Sequence, residues 1–552
     1  MSPFAMGDKI IDRRDFLKFL GRSAALTAAG PLLASHFLSA CSTSRPRVRT
    51  APLGPHTRAN LWPFAAIQPS TKDELIIPSN FNSHVILKSG DTIGPGLSVG
   101  SDCDYTAFIP LNPGNLDDAL LWVNHEDMNP LFISKRTVSP GEKRKPAEVA
   151  REQDEVGGTL VRIRRDQKTR QWSPVVGDPL NRRFSAKTPI PFAGGHSIAG
   201  KAMAQGTLAN CSGGMTPWGT ILSCEENFDH FYGDRSYSRH GSTGKISTAA
   251  CLYGWETVES RPPEHYGWVV EIDPRSGSAR KLTSLGRFGH EAATVTQGRG
   301  KRCVVYMGDD QPDRCIYKFI ADRPGTLDHG TLYVAQLETG RWIPLDWHQQ
   351  PKLKSWFANP MDVLIYTREA ALLVGGTPLH RPEDIEVDPL NRSILVALTN
   401  HAKKGDFFGS ILKIEEKDSN PLALEFSHST FLTGGPATGF ACPDNLVFDP
   451  AGDLWFTCDV TGSKLYQKPY ESFGNNALFC VPMDGPDSGK PFRFASSPVA
   501  AEFTGPCFTP DGETLFISVQ HPGETSKNYA SLTSHWPQGE NSLPLSAVVA
   551  IQ

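Results

Sequence analysis

The segment "NCSGGMTPWGTILSCEEN" (210–227) has a thiol and two adjacent carboxylates at the two ends of a short β-rich stretch. Cys211 precedes a glycine pair and a Thr-Pro-Trp-Gly turn, and Glu225 and Glu226 close the apolar run that follows. A thiolate prefers transition metals, whereas carboxylate oxygens suit calcium. The segment therefore suggests a mixed metal site, for which other parts of the chain must supply further ligands.

Similar polar clusters recur along the chain. They are "NHED" (124–127), "CEEN" (224–227), "GRFGHEAA" (286–293), "GDDQ" (308–311), "HRPEDIE" (380–386), "PDNL" (443–446) and "QHPG" (520–523). One such cluster is usually a solvated turn, but regular recurrence is harder to explain in that way. Carboxylates that converge on one place repel each other unless cations neutralise them. The pattern therefore favours several bound cations.

The elements that must position these residues are short strands. After residue 80 the chain is rich in β runs that end in Gly, Asp, Asn or Pro turns. The second half repeats a strand, a D-P or P-D-G turn and a second strand, at intervals of roughly 60 residues. These features predict an all-β propeller, in which the entry loops of the innermost strands meet at one mouth. A multidomain β-sandwich is the alternative.

Composition excludes some other classes of protein. The 552 residues carry a formal net charge of −4, so there is no basic excess and no nucleic-acid partner is expected. The 11 cysteines form no CxxC pair, which argues against a zinc ribbon or a dense disulfide scaffold. Apart from Cys41 and Cys211, most cysteines are predicted to be core residues.

The N-terminal segment indicates export. Arg13 and Arg14 in "DRRDFLKFLG" precede a moderately apolar run, which predicts a twin-arginine signal over 1–41, the twin-arginine translocon as a partner and a periplasmic or other extracytoplasmic location. An amphipathic first helix is the alternative. "LSAC" resembles a lipoprotein box that would be acylated at Cys41 and anchored to the membrane, with ordinary cleavage as the alternative. Residues 42–75 are expected to form a flexible tether before a domain at 76–552.

From about residue 80 onward, the motifs match a known family. "NCSGGMTPWGTILSCEEN", "GRFGHEAA", "RPEDIEVD", "PDNLVFD" and "FTGPCFTPDGETLFISVQHPG" closely resemble the PhoX-type bacterial alkaline phosphatases. The resemblance implies a six-bladed β-propeller with loop and small helical insertions. It also implies Fe3+ and Ca2+ in the propeller mouth and hydrolysis of small phosphomonoesters outside the cytoplasm. A monomer is expected.

The resemblance also assigns roles to individual residues. It implies that Cys211 is the iron ligand and that Arg381 binds phosphate beside Glu383 in the catalytic site. The implied carboxylate ligands are Glu226 or its neighbour Glu225, Glu291, Glu383 and Asp444, and the weaker candidates are Glu126, Asp309 and His521. Phosphoryl transfer depends mainly on positioning and charge neutralisation, and a guanidinium offers a bidentate fork that matches phosphate. Because Arg381 lies two residues before Glu383, an extended segment would place both on one face.

Two other functions remain open at this stage. One is a calcium-dependent lactonase or phosphotriesterase-like propeller, resembling the senescence-marker and gluconolactonase group. The other is a non-catalytic propeller in which calcium is structural. Cys211 discriminates against the first, because those enzymes need no thiolate ligand. Metal analysis would separate all three interpretations, since iron plus calcium supports the phosphatase and calcium alone supports the others.

Overall fold

Short antiparallel strands dominate the structure, as the β runs and turn residues of the sequence predict. The computed structural model describes residues 62–238, 241–242 and 245–552, all within the unit His56–Gln552. The predicted signal at 1–41 with Arg13, Arg14 and Cys41, and the first part of the tether, lie outside the described residues. The strands form six sheets of four or five strands, which we number as blades 1 to 6 in chain order. The prediction of a six-bladed propeller is confirmed, and a β-sandwich is excluded.

In each blade the strands follow one another from the innermost to the outermost. Blade 1 contains Cys103–Asn112, Asn115–His125, Gly157–Arg165 and Trp172–Pro174, with Arg182–Phe184 beside its third strand. Blade 2 contains Asn210–Met215, Ile221–Glu225, Val269–Ile272 and Ala279–Leu282. Blade 3 contains Thr294–Gln297, Cys303–Gly308, Ile316–Ala321, Gly330–Gln336 and Arg341–Pro344.

The remaining blades have four strands each. Blade 4 contains Pro382–Val387, Ile394–Leu398, Ser410–Glu416 and Phe426–Thr433. Blade 5 contains Pro443–Phe448, Leu454–Cys458, Ala477–Val481 and Phe492–Ser496. Blade 6 contains Glu502–Phe508, Leu515–Gln520, Ala547–Ile551 and Ser83–Lys88.

Blade 6 is made from both ends of the described chain. Its outermost strand, Ser83–Lys88, pairs antiparallel with Ala547–Ile551, and Ser83 lies opposite Ile551. Leu87 in this strand is fully buried. The pairing closes the ring and protects the edge of the last blade, which would otherwise expose unpaired backbone groups.

The innermost strands share an irregular start. In blades 1, 2, 4 and 5 the ladder to the second strand shifts register after its first pair, which is the mark of a β-bulge, and in blade 6 the shift comes later, between Thr504 and Cys507. The same five blades have a non-glycine residue with positive φ one or two positions before the innermost strand, and these residues are Asp102, Ala209, Arg381, Cys442 and Ala500. Their φ values lie between 42° and 54°. Such backbone is costly for residues with a side chain, and it clusters at functional sites.

Insertions between the strands are small, as predicted. The α-helices are Pro130–Ile133, Pro146–Glu155, Asp229–Tyr232, Pro351–Trp356, Pro360–Ile365 and Thr367–Val374. Within the described ranges, four two-stranded ribbons pair Thr92–Gly94 with Leu97–Ser98, Pro189–Pro191 with Met203–Gln205, Tyr237–Ser238 with Gly241–Ser242, and Pro312–Arg314 with Leu379–His380. Among the described residues, no helix has the length and apolarity needed to cross a membrane.

The expected tether over 42–75 extends too far toward the C-terminus. Trp62 is buried and stacks on Phe81 with ring centroids 4.8 Å apart, and it meets Trp455 of blade 5 edge-on at 5.8 Å. The Ile67 amide donates to the carbonyl of Arg493 at 3.0 Å. Residues from 62 onward therefore pack on blade 5, because their aromatic side chains find an apolar surface there.

Candidate active site

A chain of acidic and thiol side chains lies where the innermost strands begin. Asp104, Cys211, Glu383 and Asp444 are each the second residue of an innermost strand, and Glu291 lies three residues before Thr294–Gln297. Among the described residues, three groups of three side chains can each bring their ligand atoms within 4.8 Å of one another. The groups are Asp104–Glu126–Cys211, Cys211–Glu226–Glu291 and Glu291–Glu383–Asp444. Because Cys211 and Glu291 each belong to two groups, the three groups form one continuous cluster, which we call the mouth cluster.

Backbone contacts fix Cys211 at the centre of the mouth cluster. The side-chain amide of Asn124 donates to the carbonyls of Cys211 and Ser212, at 2.5 and 2.9 Å. Asn124 is itself held by the indole N–H of Trp122 at 2.7 Å. The Sγ of Cys211 lies 3.2 and 3.1 Å from the two carboxylate oxygens of Glu291. The thiol is thus aimed at a carboxylate by a buried and rigid network.

Blade 5 orients the other end of the mouth cluster. The side-chain amide of Asn445 donates to Asp444 at 2.9 Å and lies 3.4 Å from Glu291, and its oxygen accepts from the Gly505 amide at 2.6 Å. Thr457 donates its hydroxyl to Asp444 at 3.2 Å. Asn445 therefore connects blades 3, 5 and 6, and it holds the carboxylates of Asp444 and Glu291 in fixed positions relative to each other.

Arg381 is the cation that lies against the mouth cluster. Its Nη2 lies 2.7 Å from Asp310 and 2.6 Å from Glu383, and its Nη1 lies 3.4 Å from Asp459. Arg381 and Glu383 are in contact, but the expected extended segment is absent, because Arg381 lies before the strand with a φ of 54°. Since the Arg381 side chain remains 22% exposed, the guanidinium stands between the buried acids and solvent.

Burial and mutual repulsion disfavour ionisation of these acids. Burial, followed by the carboxylates of Glu383 and Asp310, raises the pKa of Glu291 well above its usual value. Burial, followed by Glu291 and Glu126, does the same to the pKa of Glu226. Burial also raises the pKa of the Cys211 thiol, and nearby acids add to the effect. Such a set of groups ionises fully only when positive charge is brought to it.

Glu225 lies outside the mouth cluster, although the sequence offered it as an alternative to Glu226. Its carboxylate is 2.6 and 2.9 Å from Nζ of Lys281, and neither side chain is exposed. It also accepts from Thr207 at 2.8 Å and from the Trp268 amide at 3.1 Å. Of two consecutive acids at a strand end, the first thus faces a buried lysine and the second faces the mouth.

The three weaker candidates lie in different surroundings. Glu126 joins the first ligand group and accepts from Gln520 at 2.8 Å. Asp309 is outside the mouth cluster, because it is bound by the guanidinium of Arg368 at 2.5 Å. His521 is also outside it, with Nε2 3.2 Å from Glu502.

Sequence reasoning missed Asp104 and Glu502, which occupy equivalent positions in blades 1 and 6. Each follows a left-handed residue by two positions, as Cys211, Glu383 and Asp444 do. The signal that could have found them is the repeat itself: "SDCDYTAF" and "VAAEFTGP" are the missing inner-strand starts. Burial raises the pKa of both carboxyls well above the usual value.

The donor set of the mouth cluster fits cations. Among the described residues, Oδ1 of Asp104 in the mouth cluster and Oδ1 of Asp310 beside it are buried without a hydrogen-bond partner. Unpaired buried acceptors are costly, so their presence on converging carboxylates indicates a place for a cation. Several carboxylates suit calcium, and one thiol at their centre suits a transition metal.

Comparison with known proteins identifies the family. The family model described as "Alkaline phosphatase PhoX" matches residues 62–523. Among solved structures, Pseudomonas fluorescens PhoX in complex with vanadate, a transition state analogue, is 29% identical with a TM-score of 0.80, covering 89% of this chain and 98% of that chain. The chain therefore belongs to the PhoX family. It is an alkaline phosphatase, a metal-dependent phosphoric monoester hydrolase whose substrates are small phosphomonoesters.

Two further structures resemble the chain more distantly. A protein of unknown function from Dyadobacter fermentans is 9% identical with a TM-score of 0.41, covering 86% of this chain and 99% of that one. A gluconolactonase from Xanthomonas campestris is 11% identical with a TM-score of 0.29, covering 82% and 97%. No curated protein matches the chain.

Proposed function

We propose that the mouth cluster binds Fe3+ and Ca2+ and that phosphomonoester hydrolysis takes place there. The proposed ligands are Cys211, Glu226, Glu291, Glu383 and Asp444, extended by Asp104 and Glu126. The observation that carries the proposal is the sharing of Cys211 and Glu291 between neighbouring ligand groups. Shared ligands favour several adjacent cations over isolated ones, because each cation then offsets carboxylates that also serve its neighbour.

Different residues of the chain have different roles in phosphate recognition. When bound, the cations supply the positive charge that a transferring phosphoryl group requires. Arg381 offers a planar fork of N–H donors at the solvent side of the cluster, where a phosphate monoester can approach. The buried acids hold the cations, and Asn124 and Asn445 fix the backbone and carboxylates that carry them. The vanadate complex of the Pseudomonas fluorescens relative supports a phosphoryl-transfer site in this fold.

Metal analysis of a thiol variant tests the proposal. Cys211→Ser is expected to lose iron and any iron-dependent absorption band while keeping the propeller fold, because a hydroxyl is a much weaker transition-metal ligand than a thiolate. Iron and calcium are measured in the purified protein by elemental analysis, with circular dichroism to verify the fold. The control is Cys507→Ser, also on an innermost strand but outside the ligand groups. Iron content equal to that of the wild type would remove Cys211 from the site.

We further propose that residues 1–41 are a twin-arginine signal, that Cys41 is acylated and that the exported domain acts as a monomer. The support is the Arg13–Arg14 pair before an apolar run and the "LSAC" box. Replacing both arginines with lysine is expected to retain phosphatase activity in the cytoplasmic fraction. The matched control replaces Arg47 and Arg49 with lysine. Equal export of both double variants would contradict the signal assignment.

A further inference from the structure

A second chamber lies inside the ring, away from the mouth cluster. The innermost strands begin at the mouth, so their C-terminal halves line the opposite part of the central channel. A cavity of about 380 Å³ lies there, with walls from all six innermost strands. Its volume falls in the range of pockets that bind small organic molecules.

Two carboxylates of blade 4 line this chamber without a basic partner. Asp384 and Glu386 are separated by one residue on Pro382–Val387, and both contribute to the wall. Asp384 accepts from the amides of Ile385 and Leu446, at 2.8 and 2.9 Å, and Glu386 accepts from Val387 at 3.2 Å. The wall includes no lysine, arginine or histidine, and no basic nitrogen of the described residues lies within 4.0 Å of either carboxylate.

A serine lies in the same wall. Ser212 lines the chamber and is only 3% exposed. Asn124 donates to its carbonyl, and its hydroxyl can accept a hydrogen bond from a ligand inside the chamber.

Apolar and aromatic side chains supply another part of the wall, beside Thr106, Thr294, Asn445 and Thr509. They are Met215, Val295, Val447, Phe448 and Phe508, together with the ring of Tyr105. The rings of Trp62 and Trp455 meet Phe508 edge-on at 5.5 and 5.3 Å. A hydrated metal ion would leave these apolar groups unused. An alkylammonium group would use both features, since its charge pairs with carboxylate and its carbons pack on apolar groups and aromatic faces.

We propose that this lower chamber is a binding site for a small organic ammonium ion, separate from the phosphatase site. The carboxylate of Glu386 supplies the charge, and Phe448, Phe508 and Tyr105 enclose the alkyl groups. The hydroxyl of Ser212 accepts from an N–H where the ligand has one. The site does not depend on the identity of the metals in the mouth cluster.

The test is calorimetric titration of the full-length, metal-loaded protein with tetramethylammonium chloride. Tetramethylammonium is expected to bind the wild type, and its uncharged analogue tert-butyl alcohol is not. Glu386→Gln preserves shape and is expected to weaken binding by about tenfold or more, because it removes the charge partner of the ligand. The matched control, Glu415→Gln, lies on the same blade with a side chain that is 56% exposed, and it should bind as the wild type does.

Phosphatase activity is measured in parallel on p-nitrophenyl phosphate. Glu386→Gln is expected to keep the activity and metal content of the wild type, which separates the lower chamber from the mouth. The proposal is overturned if tetramethylammonium does not bind, if Glu386→Gln binds it as well as Glu415→Gln does, or if excess calcium displaces it from the metal-loaded protein. That last result would identify the chamber as a metal site.

Discussion

Glu225 and Glu226 are neighbours in sequence and lie in opposite environments. Glu225 is fully paired with Lys281, whose Nζ also donates to the His265 carbonyl at 2.7 Å. Glu226 lies beside Cys211 and Glu291, and burial together with the carboxylates of Glu291 and Glu126 raises its pKa. A buried carboxylate that has an internal lysine needs no metal, whereas one surrounded by acids does. The charge of the partner, and not the residue type, decides which glutamate is a ligand.

At the residue scale, removal of the Arg381 and Glu383 side chains is expected to have different effects on metal content and on activity. Arg381→Ala should keep iron and calcium and reduce phosphomonoester hydrolysis by roughly two to three orders of magnitude, because one preorganised charge stabiliser is lost. Glu383→Ala should lose metal as well as activity, since its carboxylate belongs to a shared ligand group. Both effects are measured by elemental analysis and by the hydrolysis rate of p-nitrophenyl phosphate.

A surface variant and a chelator complete this comparison. Arg341→Ala removes an arginine whose side chain is 63% exposed, and it should change neither the metal content nor the hydrolysis rate. Chelation of calcium should lower the rate of the wild type, and added calcium should restore it. If Arg381→Ala and Glu383→Ala both retain full metal content and full rate, the active site lies elsewhere.

Much of the site could be predicted from sequence because its ligands occur in repeated motifs. Cys211, Glu291, Glu383 and Asp444 lie where the motifs suggested, and the structure brings them together. The choice between Glu225 and Glu226 was not predictable, since it depends on Lys281, which is 56 residues away in sequence. Asp309 could not be excluded for the same reason, because its partner Arg368 comes from a helix 59 residues later.

At the element scale, the irregular start of the innermost strands explains how one position becomes a ligand in successive blades. A left-handed residue turns the chain into the strand, and a bulge then lets the ligand residue face the channel out of the normal alternation. The strand positions could be predicted from their β-rich pattern. The left-handed residues could not, because Asp102, Ala209 and Arg381 have no residue type in common.

Substitutions in the outermost strand of blade 6, Ser83–Lys88, test how much this element contributes to stability. Leu87→Ala is expected to lower the free energy of unfolding by about 2–5 kcal/mol, because a fully buried side chain is truncated in the strand that seals the ring. Val85→Ala, on the same strand but 39% exposed, should change it by about 0.5 kcal/mol or less. Urea unfolding of both variants measures the difference. Equal effects would mean that this strand does not hold the ring closed.

At the scale of the whole molecule, acids near Glu126 of the mouth cluster make metal-free protein sensitive to pH. Burial raises the pKa of Asp102 and of Asp127 from the ordinary value of 3.8 to about 7. In the unfolded chain both groups ionise near 3.8, so between about pH 4 and 7 the folded state binds more protons than the unfolded state. The stability of the metal-free protein contributed by these groups therefore falls as pH rises through this interval.

We expect the Tm difference between metal-loaded and chelated protein to widen from about pH 4.5 to above pH 7. Bound cations offset the ionised acids, whereas buried histidines such as His125 and His290 are common to both forms and cancel in the difference. The Tm difference is measured by thermal unfolding across this pH range, with the calcium concentration of the metal-loaded samples held fixed. A difference that stays constant with pH would contradict the assignment of uncompensated acids.

The pairing of Ser83–Lys88 with Ala547–Ile551 sets the order in which the enzyme can be made. During synthesis, the early segment must wait for a partner that leaves the ribosome more than 450 residues later. Asp104 shares this delay, because its carbonyl accepts from Ser518 at 2.6 Å and its side chain lies 3.4 Å from Gln520. The contacts that orient Asp104 and Glu126 therefore form only after translation has reached the last blade, and we expect metal binding at the first ligand group to follow synthesis of the chain.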